Sequence, residues 1–478
     1  MTADAGPETH RQAKTQIVII GAGYGGLAAY LTLRQRLDWK HRSLSVVNKH
    51  SYHYFTTELH TLVSGEEDEE SVSVDLSQVV RRPARLLLAE VDRIVPEESR
   101  IVLKPAPSSL RVTPRSHRRR GMNRAAAAGV DGAAAGAGTA DGADASLEIA
   151  SPLQPYFSLR YDFLVVALGS EPEYFNLPGV RENSMVIRSL RSAERLRARL
   201  RSLASLGGDG GRYPEVVIAG GGLTGVELAG EVADAYGSHL RLTLVEAAPN
   251  IMPGLDPHLA RVSRRVLQEK GVTLMTGVPI ASAEPGRLYL KDGAVLPYDL
   301  LVWAGGVRGP ALLARSGLAT TPRGRGRVNA RLQAEGFPNV YLVGDCAAFV
   351  DPATGREIAP SAQAAVQMGR AAAQAILARL QGRAEADYHP NIRGVFVSLG
   401  RDEGVGNMGA EHYAGLPAVV VKELIEGHHA FEAGGLLQIL KRLFRRRRPA
   451  GAPSVEPQWS HDGWVERPEA PDSQMHAH

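Results

Sequence analysis

The chain has 478 residues, 44% of them hydrophobic, with 55 Lys and Arg against 51 Asp and Glu for a formal net charge of +4. That length exceeds one ordinary core and suits two or three domains, while so thin a charge excess argues against nucleic acid as a main partner. The single cysteine, Cys346, rules out an internal disulfide.

Residues 1–16 are polar, lack the apolar stretch of a secretory signal, and are expected to be a flexible N-terminus. No run approaches the roughly 18 to 20 apolar residues of a membrane span. Ile17 to Ile20, the turn Gly21-Ala22-Gly23-Tyr24-Gly25-Gly26, Leu27 to Leu33 and Leu44 to Val47 read as strand, glycine turn, helix and strand, one βαβ unit. In such a turn Gly21 permits the tight bend, Gly23 lets main-chain N–H groups reach a pyrophosphate, and Gly26 lets the helix pack on its strand. The second strand ends in Asn48 and Lys49 instead of the usual carboxylate. The Asn48 amide can hydrogen-bond a ribose hydroxyl, and Lys49 can meet a phosphate.

Glu66 to Glu70 is an acidic run, expected to be solvated. Between Pro105 and Pro155 the composition turns basic and then almost wholly Ala, Gly, Asp and Thr, a stretch expected to be a disordered insertion. Phe163 to Gly169 is an apolar strand ending in small residues, where Ala167 and Gly169 leave clearance for a cofactor. The plan then repeats. Val216 to Ala219 leads into Gly220-Gly221-Gly222-Leu223-Thr224-Gly225, a helix from Val226 to Tyr236, and a strand from Leu240 that ends in Glu246. A carboxylate there accepts from a ribose 2′-hydroxyl and repels a 2′-phosphate, which favours NADH over NADPH. Leu300 to Gly306 is again an apolar strand closing in small residues, Ala304 and Gly305 among them.

Phe337 to Asp345 is a strand ending in Gly344-Asp345, where a carboxylate suits a flavin's ribityl hydroxyl. Ala359 to Gln363 opens a helix running through Ala372, with Pro360 placed to start it; its positive end would favour the charge a flavin ring gains on reduction. In Gly434 to Arg448 the residues Leu436, Leu437, Leu440, Leu443 and Phe444 share one helical face, and Lys441, Arg442 and Arg445 to Arg448 gather at the end. This is expected to be an amphipathic helix on a membrane surface, followed by a disordered tail from 449 to 478.

Taken together, these motifs and Asn48-Lys49-His50-Ser51-Tyr52-His53-Tyr54, Val245-Glu246-Ala247-Ala248-Pro249, Trp303-Ala304-Gly305-Gly306-Val307-Arg308-Gly309, Gly344-Asp345-Cys346 and Ala362-Gln363-Ala364-Ala365-Val366-Gln367 carry a resemblance. From Ile17 to Phe444, apart from the insertion, the sequence resembles the bacterial type II NADH dehydrogenases (NADH:quinone oxidoreductases) of the FAD-dependent pyridine nucleotide-disulfide oxidoreductase superfamily. The resemblance implies an α/β fold of two Rossmann-like dinucleotide-binding domains plus a C-terminal membrane-associating region. Residues 17–212 and 331–390 would form the FAD domain, 213–330 the NADH domain, and 391–448 the membrane region.

Non-covalent FAD is expected at Gly21, Gly23, Gly25, Gly26, Asn48, Lys49, Val91, Ala167, Gly169, Gly344, Asp345 and Ala362, and NADH at Gly220, Gly222, Gly225, Glu246, Ala304 and Gly305. The implied reaction passes hydride from NADH to FAD and then two electrons to a membrane quinone, without proton pumping. Glu227 would position nicotinamide or relay protons, and Gln363 and Gln367, one helical turn apart, would line the quinone site. Read without the resemblance, Glu227 serves equally as a first-turn glutamate complementing the helix dipole, and the glutamines as an exposed polar stripe. The implied location is peripheral, on the cytoplasmic face of the cell membrane; a homodimer is compatible, and no metal-ligand spacing occurs.

Disulfide reductases and sulfide:quinone reductases of this fold need cysteine pairs, which one cysteine excludes. Two alternatives stay open: a soluble reductase of a small iron–sulfur protein, and a nucleotide-bound redox sensor.

Overall fold

Strands that lack polar alternation are the ones buried on both faces, as a parallel strand covered by helices must be. Ile17 to Ile20, at most 1% exposed, lie in the strand Thr15–Ile20, paired in parallel with Arg42–Asn48 on one side and Phe163–Val166 on the other. The computed structural model describes residues 14–106, 147–149, 156–207 and 212–434. Phe337–Leu342 extends the sheet in parallel beyond Phe163–Val166, and Arg85–Val95 extends it beyond Arg42–Asn48. Because the chain leaves Thr15–Ile20 toward one neighbour and a later segment fills the other side, a crevice opens at Gly21, where ligands of open α/β sheets bind.

A second sheet repeats this plan, all parallel, in the order Met185–Val186, Leu300–Trp303, Glu215–Ala219, Arg241–Glu246, Thr273–Thr276. Its crevice lies at Gly220.

The boundaries differ from those expected. Met185–Val186 pairs with Val302 and Trp303, and the capped helix Leu190–Ala204 buries its leucines in the second unit's core. The second unit thus begins well before 213; no glycine turn marks that start. It also ends before 330, since Leu313 and Leu318 pack in the first core and Ser316 Oγ accepts from Ile94 N at 3.0 Å. The two connections between the units run side by side, Glu171–Pro172 pairing antiparallel with Val307–Arg308.

Within the stretch expected to lack structure, Leu147–Ile149 forms a strand parallel to Leu86–Leu88. The remainder, 107–146 and 150–155, lies outside the described residues, as do residues 1–13, the helix expected at 436–448 and the tail. After the second half of the first unit comes a three-stranded meander, Gly394–Ser398, Gly404–Met408 and Glu411–Ala414, and a helix, Leu416–Gly434. No described helix is long and apolar enough to cross a membrane.

Candidate functional site

The two glycine turns are built alike. Gly21 has φ +92°, and a Cβ on it would lie 2.2 Å from the Ala167 carbonyl oxygen; Gly220 has φ +115° and would meet the Ala304 oxygen at 2.4 Å. Only glycine fits either place. A Cβ on Gly26 would sit 1.9 Å from Gly21 O, and one on Gly225 1.9 Å from Gly220 O, so each third glycine seats its helix on its strand. A Cβ on Gly23 or Gly222, by contrast, would point into open space, with no non-neighbouring atom within 4 Å. These two are the N-caps of Tyr24–Arg36 and Leu223–Tyr236, with no side-chain cap. The open space and the uncapped N–H groups together suit a pyrophosphate. Gly25 serves helix packing instead, facing Gly369 of the helix Ala362–Leu380 where the two helices cross closely.

Asn48 and Glu246 occupy equivalent positions. Asn48 Oδ1 accepts from Ala22 N at 3.0 Å and its amide donates to His50 O; Glu246 Oε2 accepts from Gly221 N at 2.6 Å and its other oxygen from Ala248 N at 2.7 Å. Each side chain thus braces its own turn from the adjacent strand end. Next to Asn48, His50 is buried with no partner on Nδ1 among the described residues, and burial, with the charge of Lys49, pushes its pKa down to about 4. Lys49 is exposed and Val91 half-buried beside a bulge in the next strand.

Gly344, at φ +71°, starts a 3₁₀ turn through Cys346 that holds Asp345 half-buried over the strand ends. Asp345 Oδ2 accepts from Ser170 Oγ at 2.9 Å, and the Arg188 guanidinium grips Ser170 at its carbonyl and hydroxyl. Below it, buried Arg325 donates to the carbonyls of Asp345 (3.1 Å), Ala347 (2.5 Å) and Ile358 (3.1 Å) and to the Glu357 carboxylate. One side chain therefore fixes both the Asp345 turn and the segment leading to the helix Ala362–Leu380. That helix is capped by Ser361, whose hydroxyl accepts from Ala364 N. Pro360 precedes the cap and is not the first helical residue, because the serine takes the capping role. Ala362 opens the helix, half-buried, beside Gln363.

Glu227 is not in the first helical turn, as expected, but in the second. It is half-buried, its side chain 13% exposed, and paired: Lys422 Nζ, from the helix Leu416–Gly434, donates to Oε1 at 2.7 Å, His60 Nδ1 lies 3.8 Å from Oε2, and Ser398 N reaches Oε1 at 3.4 Å. Desolvation pushes the Glu227 pKa up, yet the Lys422 ammonium, with hydrogen bonds from Lys422 and Ser398 N and the charge His60 carries when protonated, brings the net direction down. Burial holds His60 at about 4, so its imidazole is neutral at pH 7. Partnered charge, and not the helix dipole, keeps Glu227 ionised.

Gln363 and Gln367 both border a cavity of about 730 Å³ whose other walls include Phe396, Met408, Val421 and Leu424. Gln367 is bound to the backbone of Asn391 in both directions, at 2.8 Å each. It therefore ties the helix to the meander as well as bordering the cavity.

Over residues 15–369 the chain matches the family described as pyridine nucleotide-disulphide oxidoreductase. The chain belongs to that family. Among relatives of this oxidoreductase are proteins called type II NADH:quinone oxidoreductase from Staphylococcus saprophyticus and Staphylococcus aureus. They are 26% identical over 443 and 444 residues, 89% of this chain and 97% of each relative. In fold it resembles NDH2 from Plasmodium falciparum in complex with NADH, at 15% identity and a TM-score of 0.71, covering 91% of this chain and 99% of that one. The sulfide:quinone oxidoreductase of Aquifex aeolicus is also similar, at 17% identity and a TM-score of 0.64, covering 87% and 90%.

This member of the family contains no cysteine pair; its Cys346 is buried and its thiol pushed up to about 11 by burial. The clear space over Gly23, the unsatisfied His50 nitrogen and the anchored Asp345 carboxylate fit a dinucleotide flavin on the oxidoreductase's first unit. Sequence reasoning missed Ser170, Arg188, Arg325, His60 and Lys422. Four of them act across more than 15 residues of chain and carry no local motif; only the Ser170 that follows Gly169 could have been found by extending the strand-end pattern one residue.

Proposed function

We propose that the chain is an FAD-dependent type II NADH:quinone oxidoreductase, not a proton pump, working at the cytoplasmic face of a membrane as a peripheral protein. The observation that carries this reading is the pairing of two glycine-turn crevices with a cavity bordered by Gln363, Gln367, Arg370, Asn391 and Arg393 on its polar side and by Val366, Phe396, Met408, Val421, Leu424 and Ile425 on its apolar side. When bound, the flavin supplies the hydride and electron chemistry; the chain's own residues hold, orient and protonate.

On the first unit Gly23 admits the FAD pyrophosphate, Asn48 and Lys49 meet its adenosine half, and Asp345 takes the ribityl hydroxyls. On the second, Gly222 admits the NADH pyrophosphate and Glu246 takes the ribose hydroxyls, with Ala304 and Gly305 giving clearance. Gln363 orients the quinone headgroup from the start of its helix. Glu227 and Lys422, paired at 2.7 Å, hold the charges that can move a proton. The exposed apolar face of Leu416–Gly434, with Leu416, Val420 and Leu424 spaced four apart, stands beside the cavity wall and suits a lipid surface.

The test is to purify the yellow protein and follow NADH oxidation with a water-soluble quinone, with NADPH as control. Fast bleaching of the flavin by NADH and fast recovery with quinone are expected. Recovery only with a small iron–sulfur protein would overturn the quinone assignment, slow turnover with either would leave a sensor, and equal use of NADPH would overturn the role of Glu246.

A further inference from the structure

Arg188 belongs to the coenzyme-binding unit and yet is held at the flavin site of the other. It follows Met185–Val186, the edge strand of the second sheet, in which Val186 pairs with Trp303, so the chain leaves that sheet at the same end as Ala304 and Gly305. The Arg188 carbonyl accepts from Tyr54 Oη at 3.0 Å, and its backbone N–H donates to Ser192 Oγ at 2.8 Å. Its Nη2 donates to the carbonyl and to the hydroxyl of Ser170, and that hydroxyl in turn donates to Asp345 Oδ2 at 2.9 Å. These contacts fix a half-buried guanidinium one hydroxyl away from the carboxylate assigned to the ribityl chain.

A guanidinium carries N–H donors on three nitrogens. Those on Nη2 are spent on Ser170. Among the described residues Nε and Nη1 make no hydrogen bond, and no carboxylate forms an ion pair with the side chain. Arg325, the other arginine at this turn, is by contrast committed to three carbonyls and to Glu357. A cation that is partly withdrawn from water, held in one place and given no counter-ion is a prepared seat for negative charge.

Two electrons and one proton, arriving together as hydride, leave a flavin with one negative charge more than it had. The start of the helix Ala362–Leu380 offers that charge a partial positive one, and Arg188 offers a whole one. We propose that the Arg188 guanidinium, clasped by Ser170, is the counter-charge for the reduced form of the flavin and so raises its midpoint potential; this rests on the function proposed above. The FAD pyrophosphate, the other anion of the cofactor, already has the uncapped N–H groups that follow Gly23.

The experiment measures FAD dissociation constants for oxidised and for chemically reduced flavin, and the midpoint potential against a reference dye, on full-length wild type, Arg188→Met and Arg188→Lys. In Arg188→Met the reduced form should lose about tenfold in affinity relative to the oxidised form, a fall of about 30 mV for a two-electron couple. Arg188→Lys keeps the charge and should recover most of that shift. An Arg188→Met protein with the wild-type potential overturns the proposal. Equal weakening of both redox states places the guanidinium on the pyrophosphate, and weaker NADH binding at an unchanged potential places it on the coenzyme; either result overturns it as well. Variants that lose flavin on purification are titrated with added FAD, so the ratio of the two constants is still obtained. A wild type that binds no FAD overturns the proposed function itself; a wild type that binds it beside variants of unchanged potential overturns only the role of Arg188.

Discussion

Asn48 and Glu246 do the same mechanical work in twin turns, each tying the second residue of its glycine motif to the neighbouring strand. What differs is charge. Glu246→Gln removes the charge and sets an NH2 against one of the two backbone N–H groups that the carboxylate accepts from, so KM for NADH should rise about tenfold or more and the disadvantage of NADPH should shrink, as initial rates with both coenzymes would reveal. Gly26→Ala is a harsher change. Its methyl would lie 1.9 Å from a backbone oxygen that cannot retreat without lifting the helix, so protein purified without flavin, or none at all, is expected. Both turns were legible in the sequence because their demands are local: a left-handed residue, an open approach, a close crossing. The Arg325 and Arg188 anchors were not, since an arginine in a polar loop looks the same whether it points into solvent or grips three carbonyls.

At the level of elements, composition announced the long buried parallel strands and hid the short ones. Met185–Val186 is two residues long and gains its identity only from Val302 and Trp303 beside it, so the unit boundary placed near 213 was late. Leu147–Ile149 was submerged in an Ala- and Gly-rich stretch whose average concealed three strand residues. The helix Leu416–Gly434 went unremarked beside the more strongly patterned segment that follows it. Its exposed Leu424, at 69%, gives a test: Leu424→Glu should weaken sedimentation with anionic vesicles and slow turnover with a long-tailed quinone more than with a water-soluble one. Removing residues 436–478 should weaken vesicle binding as well; full binding by the truncated protein would place the membrane contact within the residues that remain, the helix Leu416–Gly434 first among them.

For the whole molecule, Lys422 is the pin that fastens the C-terminal helix to Glu227 of the second unit and to His60, 3.4 Å from its Nζ, on the short helix Leu59–Ser64, whose Leu59, Leu62 and Val63 also pack in the second core. Lys422→Met leaves the half-buried Glu227 carboxylate without its ammonium partner and should cost about 1.5–3 kcal/mol in urea unfolding, most of it recovered by adding Glu227→Gln. Acid should loosen the same assembly. His50 and His60 have folded pKa values near 4, below the roughly 6.5 of an unfolded histidine, so the stability they contribute is complete above pH 6.5 and is lost as pH falls toward 4. His50→Gln should therefore flatten the acid limb of a Tm-against-pH curve while leaving the curve above pH 7 in place.

The paired tethers Glu171–Pro172 and Val307–Arg308 put the entry and exit of the coenzyme-binding unit next to each other. Geometrically that unit is a cartridge: both of its ends plug into one spot on the flavin-bearing body. A change of electron donor could be reached by exchanging what lies between two neighbouring peptide bonds, with the Asp345 turn left as it is and with Glu227 and the core face that receives Val397, Leu399 and Val405 retained. Donor and acceptor specificity are thus joined chiefly where Glu227 meets Lys422.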